Sequence, residues 1–474
     1  MSQFNFTACL IIVLGGILAI STMPADVQSD PAALQVSAFL LSGGLLAPVL
    51  LAGIRNPLDA LRGEFVLLLG LVYWLLLDLM QAAYPLYGIS SETAGYALLL
   101  IAGFAASMMI GAGMRPLRLP AIVREAVETQ YSDQALFRAL LICFAIGISK
   151  FVIHAGFDPA NVIQGIGAGR WSAPWARGNF GGGADAVLEH TQYFGLVLPA
   201  LTVMISQKTQ WLRPKVLLSV VLSAIMVAFI AQGGGRRVVG VMLGAAVFTY
   251  LVSNRRLSLG NLTTGILASV GILWVLQEIL RYRNVGFAVI FWGEIPDLPI
   301  AHLHVDDNFL RLAQIIDIYP DHLNYIFPQP FYHSLTLPIP RALWNGKPDG
   351  PGFDLVTYFG QSGYSLSVSL IGELYASFGT LAVVFTGFLM GRLMTTWNRV
   401  LLFSTGSSMA LVYGLGVMAA FAGLRSMQAF IQMSYVLLGW LIISHFFLQR
   451  GVDTKTELRQ KRPPARLRKP RPRI

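Results

Sequence analysis

About twelve apolar runs of roughly 20 residues fill most of this chain, and each is long enough as a helix to cross about 30 Å of hydrocarbon. They lie near residues 4–22, 32–53, 64–84, 92–114, 136–155, 189–207, 215–232, 237–253, 261–278, 367–391, 404–424 and 427–448. A lone segment in lipid must satisfy its backbone hydrogen bonds internally, which for runs of this length means helices. The expected fold is therefore an all-α polytopic membrane protein with about 12 transmembrane helices. Only 12% of the 474 residues are charged and 55% are hydrophobic, well outside the range of soluble domains. One helical domain over residues 1–449 replaces the several domains that length alone would suggest.

No Lys or Arg precedes the first run, so it lacks the basic start of a cleaved signal and is expected to remain as a membrane helix. Cys9 and Cys143 both lie inside apolar runs, at a spacing that suits neither zinc nor a disulfide framework. No cofactor is expected.

Residues 450–474 carry ten Lys and Arg against Asp453 and Glu457, and supply most of the formal net charge of +10. A Pro- and Arg-rich segment cannot bury a core, so it is expected to be a disordered tail that touches anionic lipid rather than nucleic acid. The positive-inside rule places it in the cytoplasm. With twelve spans the N-terminus joins it there, and the inner loops then receive Arg55, Arg62, Arg115, Arg118, Arg124, Arg138, Lys208, Arg213, Lys215, Arg255, Arg256, Arg392 and Arg399. Both termini are then expected to be cytoplasmic.

The remaining basic residues fall on the other side, where orientation rules predict few. They are Arg170, Arg177, Arg236, Arg237, Arg281, Arg283, Arg311, Arg341, Lys347 and Arg425. All but Arg425 lie in three segments: two sizeable outer loops, 156–188 and 279–366, and the turn 231–237. Arginine holds phosphate through a planar fork of donors, so several arginines converging from separate loops suit a diphosphate. Glycines beside them, in GIGAGR (165–170) and GGGRR (233–237), let backbone N–H groups approach an anion. A tight hairpin with arginines among lipid headgroups would explain GGGRR equally. Against it, Arg236 and Arg237 would open a helix at the positive end of its dipole.

Other positions carry chemistry. In DDNFLRLAQIIDIYPDHLNYI (306–326), Leu312, Ile315, Ile316 and Tyr319 share a helical face, which predicts a helix lying at the membrane surface, with Asp307 and Arg311 paired. In LPIPRALWNGKP (337–348), prolines stiffen a turn that displays Arg341, Trp344 and Lys347 for a glycan or an interface. Groups available as a base are Glu189, His190, Glu278, His333 and Glu373, each of which could instead be an interfacial polar residue or a helix-end charge. Asp78 and Lys150 lie at matching depths in their spans, where an unpaired charge costs about 2.5–3.5 kcal/mol, so they are expected to form a structural ion pair. The outer face shows no compact carboxylate cluster except Asp306 with Asp307, so no obligatory metal is expected.

The outer arginines, the glycine-arginine turn, the Pro-Arg-x-x-Trp-x-x-Lys-Pro segment and the following GELYASFG (372–379) together resemble bacterial oligosaccharide repeat-unit polymerases of the Wzy type, over roughly residues 150–400. That family has Arg-x10-Gly spacings in its two main outer loops, matched here by Arg170 with Gly181 and by Arg341 with Gly352. The resemblance implies a GT-C-like membrane glycosyltransferase that moves a glycan from undecaprenyl diphosphate onto the next lipid-linked repeat unit at the periplasmic face. It implies lipid-linked oligosaccharide and membrane lipids as partners, together with chain-length regulator and flippase proteins. Arg170, Arg177, Arg236, Arg237, Arg281, Arg283, Trp344 and Lys347 would bind diphosphate and glycan. Glu373, Arg341, His333 and Glu278 would serve catalysis.

O-antigen ligases share this layout and remain an alternative, as do flippases of lipid-linked oligosaccharides. A secondary transporter would carry its functional charges near the membrane midplane on broken, repeated helices, and no such repeat is visible.

Overall fold

The computed structural model describes residues 3–176, 183–209, 212–254, 257–293, 302–339, 343–344, 346–348, 350–359, 366–403 and 408–448. Arg177, Arg255, Arg256, Arg341 and the tail 450–474 lie outside the described residues.

The chain is an all-α polytopic membrane protein, and no strand occurs among the described residues. The helices in chain order are α1 (Gln3–Ser21), α2 (Gln35–Arg55), α3 (Gly63–Met80), α4 (Ser91–Ala112), α5 (Ala121–Glu128), α6 (Asp133–His154) and α7 (Pro159–Gly167). They continue with α8 (Gly183–Gly195), α9 (Leu198–Lys208), α10 (Pro214–Gln232), α11 (Arg236–Ser253) and α12 (Leu259–Tyr282). After the largest connection come α13 (Asn308–Ile318), α14 (Gln329–Thr336), α15 (Ser369–Trp397), α16 (Met409–Gly423) and α17 (Met427–Ile443). Serine side chains start several of them: Ser90, Ser132, Ser258 and Ser426 accept from Thr93, Ala135, Asn261 and Ala429 N–H.

Among the described residues, ten helices are long and apolar enough to cross a membrane. The other two expected spans are shorter. The run at 189–207 divides into α8 and α9, because Pro199 lacks the N–H that would continue a helix and instead sits in the first turn of α9. The run at 404–424 gives the 15-residue α16.

Two clusters of buried side chains form the core. One joins α1 to α4 with α13 and α15. The other joins α5, α6 and α8 to α12 with α16 and α17. Phe421 and Trp397 pack against both. Helices approach closely where small residues face each other, as in lipid, where dispersion rather than water drives packing. A Cβ on Gly15 would come within 2.8 Å of Gly44 Cα, and Gly387 and Gly391 press α15 against the α4 backbone at Phe104 and Met108.

The apolar face of the amphipathic segment after residue 306 turns into protein rather than outward. The segment forms α13, whose Phe309, Leu312 and Ile315 are fully buried against α4 and α15. An apolar stripe is satisfied by protein as well as by lipid, and the pattern does not distinguish them. Arg311 does donate to Asp307.

Helix α15 is broken. Phe378 and Gly379 leave helical geometry, Gly379 at φ +65°, a conformation that suits glycine alone. Ile326 and Phe327 N–H donate to the freed carbonyls of Ala376 and Ser377 at 3.0 and 3.2 Å. GELYASFG thus ends at the break, and the second half of α15 continues as a membrane helix.

Candidate functional site

The turn between α10 and α11 is the centre of a cluster of cations. Gln232 ends α10, Gly234 adopts φ +68°, and Arg236 opens α11. A Cβ on Gly234 would lie 3.2 Å from Arg283 Cβ and 3.5 Å from Arg170 Cδ, so both side chains lie along the turn. Arg170 N–H donates to Arg283 O at 2.8 Å, which fixes these two segments together. Gln232 reaches across to Ala168 and Gly169 O and accepts from Trp175 Nε1 at 2.7 Å. Arg170, Arg236 and Arg283 therefore come together from three separate segments.

The glycines of GIGAGR serve this assembly rather than a ligand. Gly167 O accepts Ala288 N–H, and Gly169 and Gly286 let the backbones of 167–169 and 284–286 pack without side chains between them. Their absence of Cβ is used for chain-on-chain contact.

Residues Leu303 to Asp306 run through this cluster as a strap, and side chains pin nearly every backbone group. Gln81 pairs with Leu303 through both its amide atoms, accepting at 2.7 Å and donating at 3.1 Å. Asp78 accepts Val305 N–H on one oxygen and Asp306 N–H on the other, both at 3.3 Å. Arg236 donates to His304 O at 2.9 Å and Val305 O at 3.2 Å, and Gln277 donates to His304 O at 3.1 Å. Asn308 holds the strap's end by donating to Trp74 O, beside a π turn in α3 of the kind that sites often exploit. The Asp306 carboxylate receives Arg425 Nε at 2.7 Å and lies 3.9 Å from Arg236 Nη2.

The expected ion pair between Asp78 and Lys150 is not formed. Asp78 is satisfied by the strap, whereas Lys150 Nζ meets Glu189 Oε1 at 2.6 Å. Matching depth does not make two helices neighbours: α3 and α6 have their cores in different clusters. The pairing also occupies Glu189. His190 beside it packs among Tyr193 and Tyr435 rings.

The other sites expected from sequence divide. Arg237 donates to Gln432 Oε1 at 3.2 Å and so links α11 to α17. Arg281 pairs with Glu278 at 3.2 Å within α12, which gives that carboxylate a structural partner. Glu373, buried in the first half of α15, accepts the Met427 N–H at 2.6 Å and places its charge at the N-terminus of α17, where the helix dipole favours it. His333 is half-buried on α14, which packs against α15 and α17. Trp344 meets Tyr332 edge to face at 5.7 Å. Lys347 donates to Leu337 and Ile339 O at 3.0 and 2.9 Å, so it caps the end of α14 instead of reaching out from a rigid turn. A lysine near helix-end carbonyls is drawn there by their partial negative charge.

Arg425, Asp306, His304, Gln81 and Gln277 belong to the cluster without having been assigned to it. Arg425 carried a signal, as the tenth cation expected on the outer side, in a short turn between two apolar runs. The two glutamines carried none. Burial and the Arg236 guanidinium push the His304 imidazole below its usual range, opposed by the nearby Asp306 and Asp307 carboxylates.

No group of three or more His, Cys, Asp or Glu is placed to hold a metal ion among the described residues. The chemistry on offer is that of guanidinium groups clustered around the Asp306 carboxylate, able to bind an anion of high charge. Compared with protein-family models, curated proteins and solved structures, the chain matches none.

Proposed function

We propose that this protein is a membrane glycosyltransferase that polymerises undecaprenyl-diphosphate-linked oligosaccharide repeat units into a surface polysaccharide at the periplasmic face of the bacterial inner membrane. The observation that carries the proposal is the convergence of Arg170, Arg236, Arg283 and Arg425 from four separate segments around the 233–236 turn and the strap, with Asp306 between two of them.

In the proposed reaction, the bond between the donor's sugar C1 and its diphosphate oxygen breaks while a hydroxyl of the acceptor repeat unit bonds to C1. Undecaprenyl diphosphate leaves, and preorganised cations stabilise the charge that develops on it. The hydroxyl proton passes to a base, for which the candidates are Glu373, whose carboxylate meets the Met427 N–H, and His333 on α14. Glu278 is held by Arg281 and is the weaker assignment.

Deleting the gene and sizing the surface glycan tests the proposal. A polymerase mutant caps its lipid with a single repeat unit. Normal chain length would refute polymerisation, and full-length chains left unattached would identify a ligase instead.

A further inference from the structure

A second group of arginines lies at the other end of the helices. The chain rises through α3 to the strap, returns through α4, and at residues 113–120 crosses the far end of α15. Leu117 N–H donates to Thr396 Oγ1 at 3.0 Å, and Arg399 Nη1 donates to Leu117 O at 3.0 Å. Pro116 and Pro120 bracket the crossing and limit its backbone freedom. These contacts set Arg118 beside Arg399, and α5 begins directly afterwards.

Between them is a cavity of about 260 Å³ lined by Arg118, Leu119, Ala121, Arg124, Arg399 and Phe403. Liquid water occupies about 30 Å³ per molecule, so the space admits a group considerably larger than one water. Three guanidinium groups line it and, among the described residues, no carboxylate does. Among the described residues the Arg118 and Arg124 side chains make neither a hydrogen bond nor an ion pair. Ala121 brings the first turn of α5 to the same wall, where backbone N–H groups have no helical partner.

Basic residues that only set orientation need no common cavity. Here they share one with a helix start, and Arg399 is fixed by its bond to Leu117. We propose that Arg118, Arg124 and Arg399 form an anion site at the end of the helices away from the strap, and that it takes a phosphate ester. The ester belongs either to the headgroup of an anionic phospholipid or to a soluble phosphorylated molecule. Phe403 and Leu119 at the rim suit a ligand with a carbon skeleton beside its phosphate.

The test uses the full-length protein purified in a neutral detergent and two probes, phosphatidylglycerol and glycerol 3-phosphate, with phosphatidylcholine as control. Native mass spectrometry reads retained lipid, and thermal melting reads the soluble probe. Arg118→Lys with Arg399→Lys keeps the charge that orients the chain but loses the planar fork, and should weaken binding about tenfold. Arg124→Gln, on an exposed position, provides a second variant should the first fail to fold. Retention of phosphatidylglycerol alone, weakened by the substitutions, assigns a lipid headgroup. A melting shift with glycerol 3-phosphate, lost in the variants, assigns a soluble ester. Binding of neither probe, or binding that the variants leave unchanged, overturns the site.

Discussion

Arg425 donates through Nε to Asp306 Oδ2 at 2.7 Å, and this bond ties the turn before α17 to the strap beside α11. The same carboxylate faces Arg236, so one acidic residue sits between two cations. Both side chains of the Arg425 pair are about one quarter exposed, 23% and 26%, which leaves the pair only partly screened by solvent. Arg425→Ala should therefore lower stability by about 1.5–3 kcal/mol, the range for a hydrogen bond to a charged group. Asp306→Asn should have a second effect: with the internal anion gone, the protein should bind inorganic pyrophosphate more tightly than wild type. Isothermal titration showing equal or weaker binding would argue against Asp306 as the occupant of an anion site.

Asp78 and Lys150 make a separate prediction because they do not meet. Asp78→Asn retains a single good acceptor oxygen for two strap N–H groups, which should cost about 1–3 kcal/mol. Combined with Lys150→Met, the two losses should add to within about 0.5 kcal/mol, as expected of sites without shared partners. A double-mutant cycle in detergent, read by thermal melting, checks this. A large coupling would restore the direct ion pair.

The membrane architecture was legible because hydropathy reports directly on the requirement that lipid imposes, and all but two of the expected runs became full-length helices. The strap was not legible. Its backbone is held by Gln81, Gln277 and Asp78, whose types are common at helix ends and whose partners lie more than 200 residues away in two of the three cases. Arg170, Arg236 and Arg283 were visible as misplaced cations, since charge counting by side needs no knowledge of contacts. Lys347 was visible in the same way and Glu278 as a possible base, yet local geometry gives each a partner that sequence could not reveal.

Lys150 and Glu189 supply an asymmetric test. Lys150 is buried, with 9% of its side chain exposed, whereas Glu189 is 39% exposed. Removing the acid leaves a buried ammonium uncompensated, while removing both groups leaves no charge to satisfy. Glu189→Gln should thus destabilise more than Lys150→Met combined with Glu189→Gln. Because Glu189 is part-exposed, the loss should fall below the roughly 3–5 kcal/mol seen when a fully buried pair is broken. Equal melting temperatures for the single and double variants would contradict the buried-charge account.

The strap should also respond to pH through His304. Its pKa is depressed in the folded protein by burial and by Arg236, so folding favours the neutral ring. The resulting stability is present above the unfolded value of about 6.5 and is lost as pH falls through the folded value. Wild type should lose more stability than His304→Asn on going from pH 7.5 to 5.5. Parallel pH profiles of thermal melting for the two proteins would exclude His304 as the responsible group.

Arg236 distinguishes a ligand-binding role from a purely structural one. Its guanidinium already donates to two strap carbonyls, through Nη1 and Nη2, so Arg236→Ala would remove both a possible phosphate ligand and a fastening of the fold. Arg236→Lys separates these roles better. A lysine keeps the positive charge at the start of α11 but offers a single ammonium, which cannot reproduce the planar fork across His304 and Val305. If the arginine only fastens the strap, the loss should appear as lower thermal stability and as faster proteolysis near residues 302–306, with polymer made in proportion to folded protein. If it also clamps a diphosphate, polymer per molecule of folded protein should fall by about tenfold or more, as a fork–phosphate contact is lost from the transition state. Quantifying membrane-inserted protein alongside glycan length in the same cells reads both effects at once.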